Sequence, residues 1–396
     1  VLISFVDRTN ISAAIADKGF IRFFSLSDVD RGAIGAAFFW SYGIVQLFMG
    51  WLVDRYGVKW LYAIFFLVWC AATAGNGAAG SFAVLLAMRF LVGAAEAVVM
   101  PASYRWIRDN FDDRNTGTAI GIFTGGNKFG NALGAPIAAW LVIHYGWQAM
   151  FVLTGLVGLL WLLPWLLVVP NDRPASAAAK EASVRRMSSV SWKSIFASPV
   201  VWGSLVINFC YGYFGFFCAT WMPAYLVEQR GLSLQQSSIY TGMSFAGVAL
   251  VAVFGGWAAD RIIKLGRDAV SVRKAFVVAG FLGACTILIG ASTHSTPVAV
   301  FWNIASLSTL GLATANLQAL CRLALIPKPA VGRVTGVQQV ATSLSGGTAA
   351  SLSGWLHHVS GGYAVPMYMI FAFLVVGAAT TLMLMRREWS PVVVES

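Results

Sequence analysis

The sequence predicts an all-α integral membrane protein, with twelve transmembrane helices in two pseudo-symmetric six-helix bundles. Three observations predict it. First, 58% of the 396 residues are hydrophobic and only 11% are charged, with a mean hydropathy of +0.73. Soluble domains carry about 25% charged residues, and no soluble core of this size hides so much apolar surface. Second, apolar runs long enough to span a bilayer recur along the whole chain. Third, one Asp-Arg pair is echoed at the equivalent place in the second half.

The apolar runs fall at roughly 1–17, 31–53, 60–79, 82–104, 116–143, 147–169, 199–227, 237–262, 274–292, 297–320, 334–357 and 363–385. In the first run, "VLISFV" is too short to precede a charged pair in a complete span of about 20 residues. The first helix is therefore expected to be truncated at its N-terminal side, and no cleavable signal peptide is expected. One long basic, Ser/Ala-rich segment without apolar periodicity, "NDRPASAAAKEASVRRMSSVSWKS", interrupts the runs. It divides the chain into an N-terminal six-helix bundle (1–170), a cytoplasmic linker (171–198) and a C-terminal six-helix bundle (199–396).

Charge sets the orientation. If the first helix starts in the cytoplasm, 20 of the 27 Lys and Arg residues lie on the side of both termini and four on the other, while Arg8, Arg89 and Lys128 fall inside helices. That asymmetry predicts cytoplasmic termini. The net charge of +11 is then a property of cytoplasmic loops, and nucleic acid is not an expected partner. The five cysteines lie in or beside apolar runs and the four histidines form no zinc motif, so neither disulfides nor a metal site are expected. Forty glycines and 16 tryptophans suit close helix packing and the membrane interfaces.

The halves look related. "GWLVDRYGVKW" follows the second run and "GGWAADRIIKLG" the eighth, with Asp54 and Asp260 206 residues apart. A weaker echo joins "GAPIAAWL" to "AASLSGWL". Duplicated six-helix units are a transporter architecture with the site near the midplane.

The loop "GWLVDRYGVK" closely resembles the signature between helices two and three of the major facilitator superfamily, G-x-L-x-D-R-x-G-x-K/R. Here its residues are Gly50, Asp54, Arg55, Gly57 and Lys59, and Asp260 with Arg261 repeats its core. Beside arginines at cytoplasmic helix ends, Asp54 and Asp260 read as a structural or gating latch rather than as substrate contacts. Several further pieces resemble the anion:cation symporters, a group that includes hexonate, hexuronate, glucarate and tartrate permeases and the vesicular glutamate and sialic acid carriers. These are "DRTNIS", "SYGIVQLFMGWLVDRYG", "RFLVGAAEAVVMPASYRW" and "TWMPAYLVEQRGLS". The resemblance implies a bacterial inner-membrane transporter that works as a monomer among lipids. It implies import of a small organic anion by proton symport with alternating access, and no cofactor other than the coupling proton.

Charges inside membrane helices are costly and are functional by default. Asp7 and Arg8 are neighbours, so they point about 100° apart on a helix and look for different partners. Arg89 and Glu96 are seven residues apart, on one face of the fourth span. The resemblance implies that Asp7 and Glu96 are the protonatable pair, that Arg8 meets the substrate carboxylate and that Arg89 is held near Glu96. The chemistry suits these types. Arginine is a permanent, bidentate anion anchor, and a desolvated carboxylate exchanges protons near neutrality. The alternative is a purely structural network joining helices one and four.

Lys128 is either a second anion anchor or a side chain that snorkels to the cytoplasmic interface. Its neighbour Asn127 resembles, by position, the helix-five residue that reads substrate hydroxyls in sugar-acid carriers. Tyr42 and Gln46 lie four apart on the second span, and the family uses a tyrosine there to line the site. Asn208 and Tyr211 in helix seven, and Gln338 and Gln339 in helix eleven, are candidate contacts in the second half, or interhelical hydrogen bonds. The family often has asparagine in helix eleven, so the Gln-Gln pair departs from its pattern for sugar hydroxyls. Two competing functions remain: a proton-independent organic-anion exchanger or facilitator, and drug efflux, which the arginines disfavour. A membrane enzyme is not expected, because the chain lacks HExxH, GxSxG and nucleotide-loop motifs.

Overall fold

The computed structural model describes residues 2–111, 113–171 and 190–392. Most of the polar linker expected at 171–198 lies outside the described residues, as does the Lys128 side chain. The described residues form helices and no strand. Nine helical stretches among them are long and apolar enough to cross a membrane.

In chain order, α1 is Leu2–Ala16, α2 Lys18–Phe24, α3 Asp28–Tyr56, α4 Lys59–Gly77, α5 Phe82–Glu96 and α6 Val99–Asn110. They are followed by α7 (Asp113–Leu159), α8 (Leu162–Val168), α9 (Trp192–Ala197), α10 (Pro199–Thr220), α11 (Met222–Glu228) and α12 (Leu234–Lys264). Last come α13 (Ala269–Ala284), α14 (Ile287–Ser292), α15 (Thr296–Ala319), α16 (Val331–Ser360) and α17 (Ala364–Leu384). Each of the twelve expected apolar runs overlies one of these helices or a helix pair.

Local chemistry sets the boundaries. Asp17 caps α2 by accepting from the Phe20 amide at 2.8 Å. Ser27 and Asp30 form a capping box that starts α3, each satisfying the other's free backbone amide. Gly57, at φ +85°, ends α3 in a conformation that L side chains avoid, which explains the glycine in the signature loop. Gly146, at φ +83°, breaks α7 between the two runs read at 116–143 and 147–169.

The chain groups into two compact units. The first holds Val1–Arg173, Phe216–Ala246 and Gly346–Pro366; the second holds Pro174–Gly215, Gly247–Ser345 and Met367–Ser396. Within the first unit, one apolar core gathers Phe38, Tyr42, Tyr62, Phe66, Trp69 and Val92 from α3, α4 and α5. A Cβ on Gly93 would collide with the Phe38 carbonyl and the Ser41 hydroxyl, so glycine there lets α5 lie directly against α3. In the second unit, Asn316 Nδ2 donates to the Gly255 carbonyl at 3.2 Å, tying α15 to α12.

Candidate functional site

The four charged residues singled out in helices one and four come together in the first unit. Arg8 Nε donates to Glu96 Oε1 at 2.6 Å, and Nη2 lies 2.5 Å from the same oxygen in an ion pair. Glu96 is fully buried and Arg8 nearly so, at 0% and 13% side-chain exposure. The guanidinium carbon sits 4.5 Å from the Phe5 ring centre, 5.0 Å from Phe38 and 4.9 Å from Tyr42. Three ring faces thus stabilise the cation where water is excluded. Arg89 is buried over the Phe38 ring at 5.3 Å and lies within electrostatic reach of Glu96 and Asp7. Its Nε and Glu96 Oε2 have no protein hydrogen-bond partner.

Asp7 and Arg8 diverge as the helical geometry requires. Asp7 Oδ1 accepts from Asn10 Nδ2 at 3.2 Å, and the same amide nitrogen donates to Thr154 Oγ1 at 2.8 Å. The Trp69 indole lies beside the carboxyl group. Asp7 Oδ2 and Trp69 Nε1 are buried with no aligned partner.

The remaining candidates spread more widely. Tyr42 and Gln46 adjoin on α3, and Asn127 is half-buried on α7. In the second unit, Asn208 donates to the Ser204 carbonyl of its own helix at 2.7 Å, and Tyr211 shares a 2.8 Å hydrogen bond with Thr314. Gln338 is fully buried. Its amide donates to Ser204 Oγ at 2.9 Å and to the Cys321 carbonyl at 3.1 Å, and it accepts from Arg322 at 3.0 Å. Gln339 is half-buried.

In the signature loop, Asp54 lies 3.6 Å from Arg105 in the middle of α6, beside a groove of about 310 Å³ that Gly50 also lines. Arg55 lies over Trp51 at 5.5 Å and Lys59 over Trp60 at 5.9 Å. In the second unit, Asp260 pairs with Arg273 at 2.9 Å while Arg261 lies over Trp257 at 5.9 Å. In both repeats, then, the aspartate binds an arginine distant in sequence.

The sequence reading missed two groups. Asn10, Trp69 and Thr154 surround Asp7, and the three-residue step from Asp7 to Asn10 was the available signal. The second group is built on Arg31, the first residue of the run read at 31–53. It is 4% exposed, and it holds Asp28 Oδ1 at 2.9 Å and Glu228 Oε1 at 2.6 Å. Its guanidinium lies 5.1 Å from the Trp221 ring. Tyr363 donates to Glu228 Oε2 at 2.7 Å, and His357 Nδ1 lies 3.0 Å from Asp28 Oδ2. Among the described residues no group of three or more His, Cys, Asp or Glu is arranged to hold a metal.

Known proteins resemble this chain over most of its length. The profile described as Major Facilitator Superfamily matches residues 1–323. The chain is 26% identical to the "D-galactonate transporter" of Escherichia coli O6:H1, over 97% of this chain and 93% of that one. It is 27% identical to the "Probable galactarate/D-glucarate transporter GudP" of Bacillus subtilis (strain 168), over 98% and 92%. It is also 27% identical to the "Probable sulfoacetate transporter SauU" of Cupriavidus necator, over 96% and 90%. Among solved structures, it superposes on a bacterial homolog of the human lysosomal transporter Spinster, in its inward-facing and occupied conformation. The TM-score is 0.80 at 20% identity, covering 99% of this chain and 96% of that one. A D-xylose–proton symporter follows the same fold, with a TM-score of 0.79 at 15% identity over 98% and 95%.

Proposed function

The chain belongs to the Major Facilitator Superfamily, a family of membrane transporters rather than enzymes, and from that premise we propose that it imports a small organic anion by proton symport. The substrate class is a sugar acid, aldarate, tartrate-like acid or other carboxylate. The observation that carries the reading is the buried Arg8–Glu96 pair with Asp7 one residue away. The printed names of the relatives support the class, since galactonate, galactarate and glucarate are sugar acids. Sulfoacetate adds a sulfonate beside a carboxylate, which a guanidinium also binds through two oxygens.

The mechanism follows from the pair. With Glu96 ionised, one of its oxygens holds Arg8 Nε and Nη2. A proton on Glu96 weakens that contact and releases the guanidinium for the substrate anion. Asp7 is the second loading site, and Arg89 lies within reach of both carboxylates. Substrate and proton therefore favour each other's bound state, which is coupling in the thermodynamic sense. Alternating access carries both across the bacterial inner membrane, with the termini in the cytoplasm. A monoanion entering with one proton moves no net charge; a second proton adds about 2.3 kcal/mol of drive per 100 mV.

The test is internal pH in proteoliposomes on addition of sugar acids, aldarates, tartrate and sulfoacetate. Acidification by one class, lost in Arg8→Ala, is the expected outcome. Asp7→Asn and Glu96→Gln should abolish uphill accumulation while counterflow exchange survives. Full gradient-driven uptake by both variants would overturn the proton roles. Exchange without any pH signal in the unmodified protein would instead establish a proton-independent exchanger.

A further inference from the structure

The Asp7 carboxyl does not contact the Arg8–Glu96 pair directly, and its own surroundings give work to a residue that the mechanism above does not use. Ser4, Asp7 and Asn10 recur every three residues on one face of α1. All three are buried, Asn10 completely. Thr154, on the second half of α7, donates its hydroxyl proton to the Met150 carbonyl at 2.8 Å. That hydroxyl can therefore only accept from Asn10, at 2.8 Å. The constraint fixes the orientation of the Asn10 amide: its NH2 group, not its oxygen, must face Thr154. The same NH2 group then faces Asp7 Oδ1, at 3.2 Å.

Asp7 thus has two unlike oxygens. Oδ1 is held by a donor that is itself anchored to another span. Oδ2 is buried and forms no aligned hydrogen bond, and the Trp69 indole N–H lies within interaction distance of the carboxyl group. A donor aimed at a carboxylate favours its ionised form, and the preference is strong where water is excluded. The other charged or titratable groups facing Asp7 are Glu96 and Arg89 from α5 and Cys70 from α4.

We propose that Asn10 is the positioning residue of the proton-loading carboxylate: anchored to Thr154, it holds Asp7 Oδ1, leaves proton exchange to Oδ2 and sets the pH at which that exchange occurs. The inference rests on the reading of Asp7 as a proton-loading group.

The test needs no substrate. Infrared difference spectra of the reconstituted full chain, titrated with pH, report the carboxylic C=O band of protonated Asp7, which is identified by its loss in Asp7→Asn. Asn10→Ala should move the midpoint of that band up by about one to two pH units, the value of one lost hydrogen bond to a charged group. Asn10→Ser, which keeps a donor, should recover part of the shift. Thr154→Val frees the amide without removing it and should move the midpoint the same way by less. This variant also carries the test if Asn10→Ala does not fold. Unmoved midpoints in a folded Asn10→Ala or in Thr154→Val would overturn the role of Asn10 while leaving Asp7 as a proton site. The absence of any band that Asp7→Asn removes would overturn the reading of Asp7 itself, and this inference with it.

Discussion

Arg8 and Arg31 are both buried arginines of the first unit, and they are satisfied in opposite ways. Arg31 is shared between two carboxylates: it binds Asp28 through Nη1 and Glu228 through Nη2, both oxygens of each carboxylate have a near neighbour, and only its Nε lacks a hydrogen-bond partner. Arg8 turns two nitrogens to a single oxygen of Glu96, and aromatic rings with the Tyr42 hydroxyl occupy the rest of its surroundings. In one cluster the arginine is divided between two carboxylates whose four oxygens are all met. The other can change partners when one proton arrives. The difference separates an arginine that ties chain segments together from one that can exchange a carboxylate of the protein for a carboxylate of a substrate.

Arginine deletions should break the two clusters on different observables. Arg31→Ala removes the shared cation from two carboxylates that keep only His357 and Tyr363, and their partial exposure holds the cost below the roughly 3–5 kcal/mol of breaking a fully buried pair. The main effect of this variant should be a fall in melting temperature in detergent, with residual anion affinity at Arg8. Arg31→Lys offers one point charge in place of a fork and should recover only part of the stability. Arg8→Ala strands only Glu96, which escapes by taking up a proton. It should lower stability much less while reducing transport by at least about 100-fold, the scale of one lost charged contact. A stable Arg31→Ala protein, or an Arg8→Ala protein that melts as early, would remove the distinction.

The two clusters were not equally legible. Arg8 and Glu96 stood out because charge inside an apolar run has few explanations, and their seven-residue and neighbour spacings fixed which faces they occupy. Arg31 is the first residue of the apolar run read at 31–53, where a charge at the edge of a span attracts no notice, and only tertiary structure brings Glu228 and Tyr363 to it. The same limit applies to Gln338. Its side chain looks available in the sequence, yet three partners from Ser204, Cys321 and Arg322 meet its amide. The helices themselves were legible almost throughout, since lipid forces each span to satisfy its own backbone. At Gly146 a single residue of positive φ separates the two runs read at 116–143 and 147–169, as hydropathy had divided them.

Close approach gives a smaller and sharper test. Gly93→Val would push α5 off α3 at the level of Phe38 and Ser41. The displacement carries Glu96 and Arg89 with α5 and leaves Tyr42 and Phe38 behind. Overpacking of this kind costs about 1–3 kcal/mol. It should weaken anion binding by more than it lowers the melting temperature, because the Arg31 cluster contains no α5 residue. An equal effect of Gly93→Val on both clusters would mean that they respond as one body.

The smallest expected effects come from removing one hydroxyl in each cluster. Tyr363→Phe leaves Glu228 Oε2 without its 2.7 Å donor, while Arg31 still holds the other oxygen. A hydrogen bond to a charged group is worth about 1.5–3 kcal/mol, and at this part-exposed carboxylate the low end applies, so the melting temperature should fall slightly and transport should not change. Tyr42→Phe keeps the ring 4.9 Å from the Arg8 guanidinium and loses only the hydroxyl beside it. Its melting temperature should match the unmodified protein, and its anion affinity should change by a few-fold. These paired variants differ by one oxygen atom each. If each moves only its own observable, the tie and the exchangeable anchor are separate devices; if Tyr363→Phe alters affinity as much as Tyr42→Phe does, the Arg31 cluster acts on substrate as well as on stability.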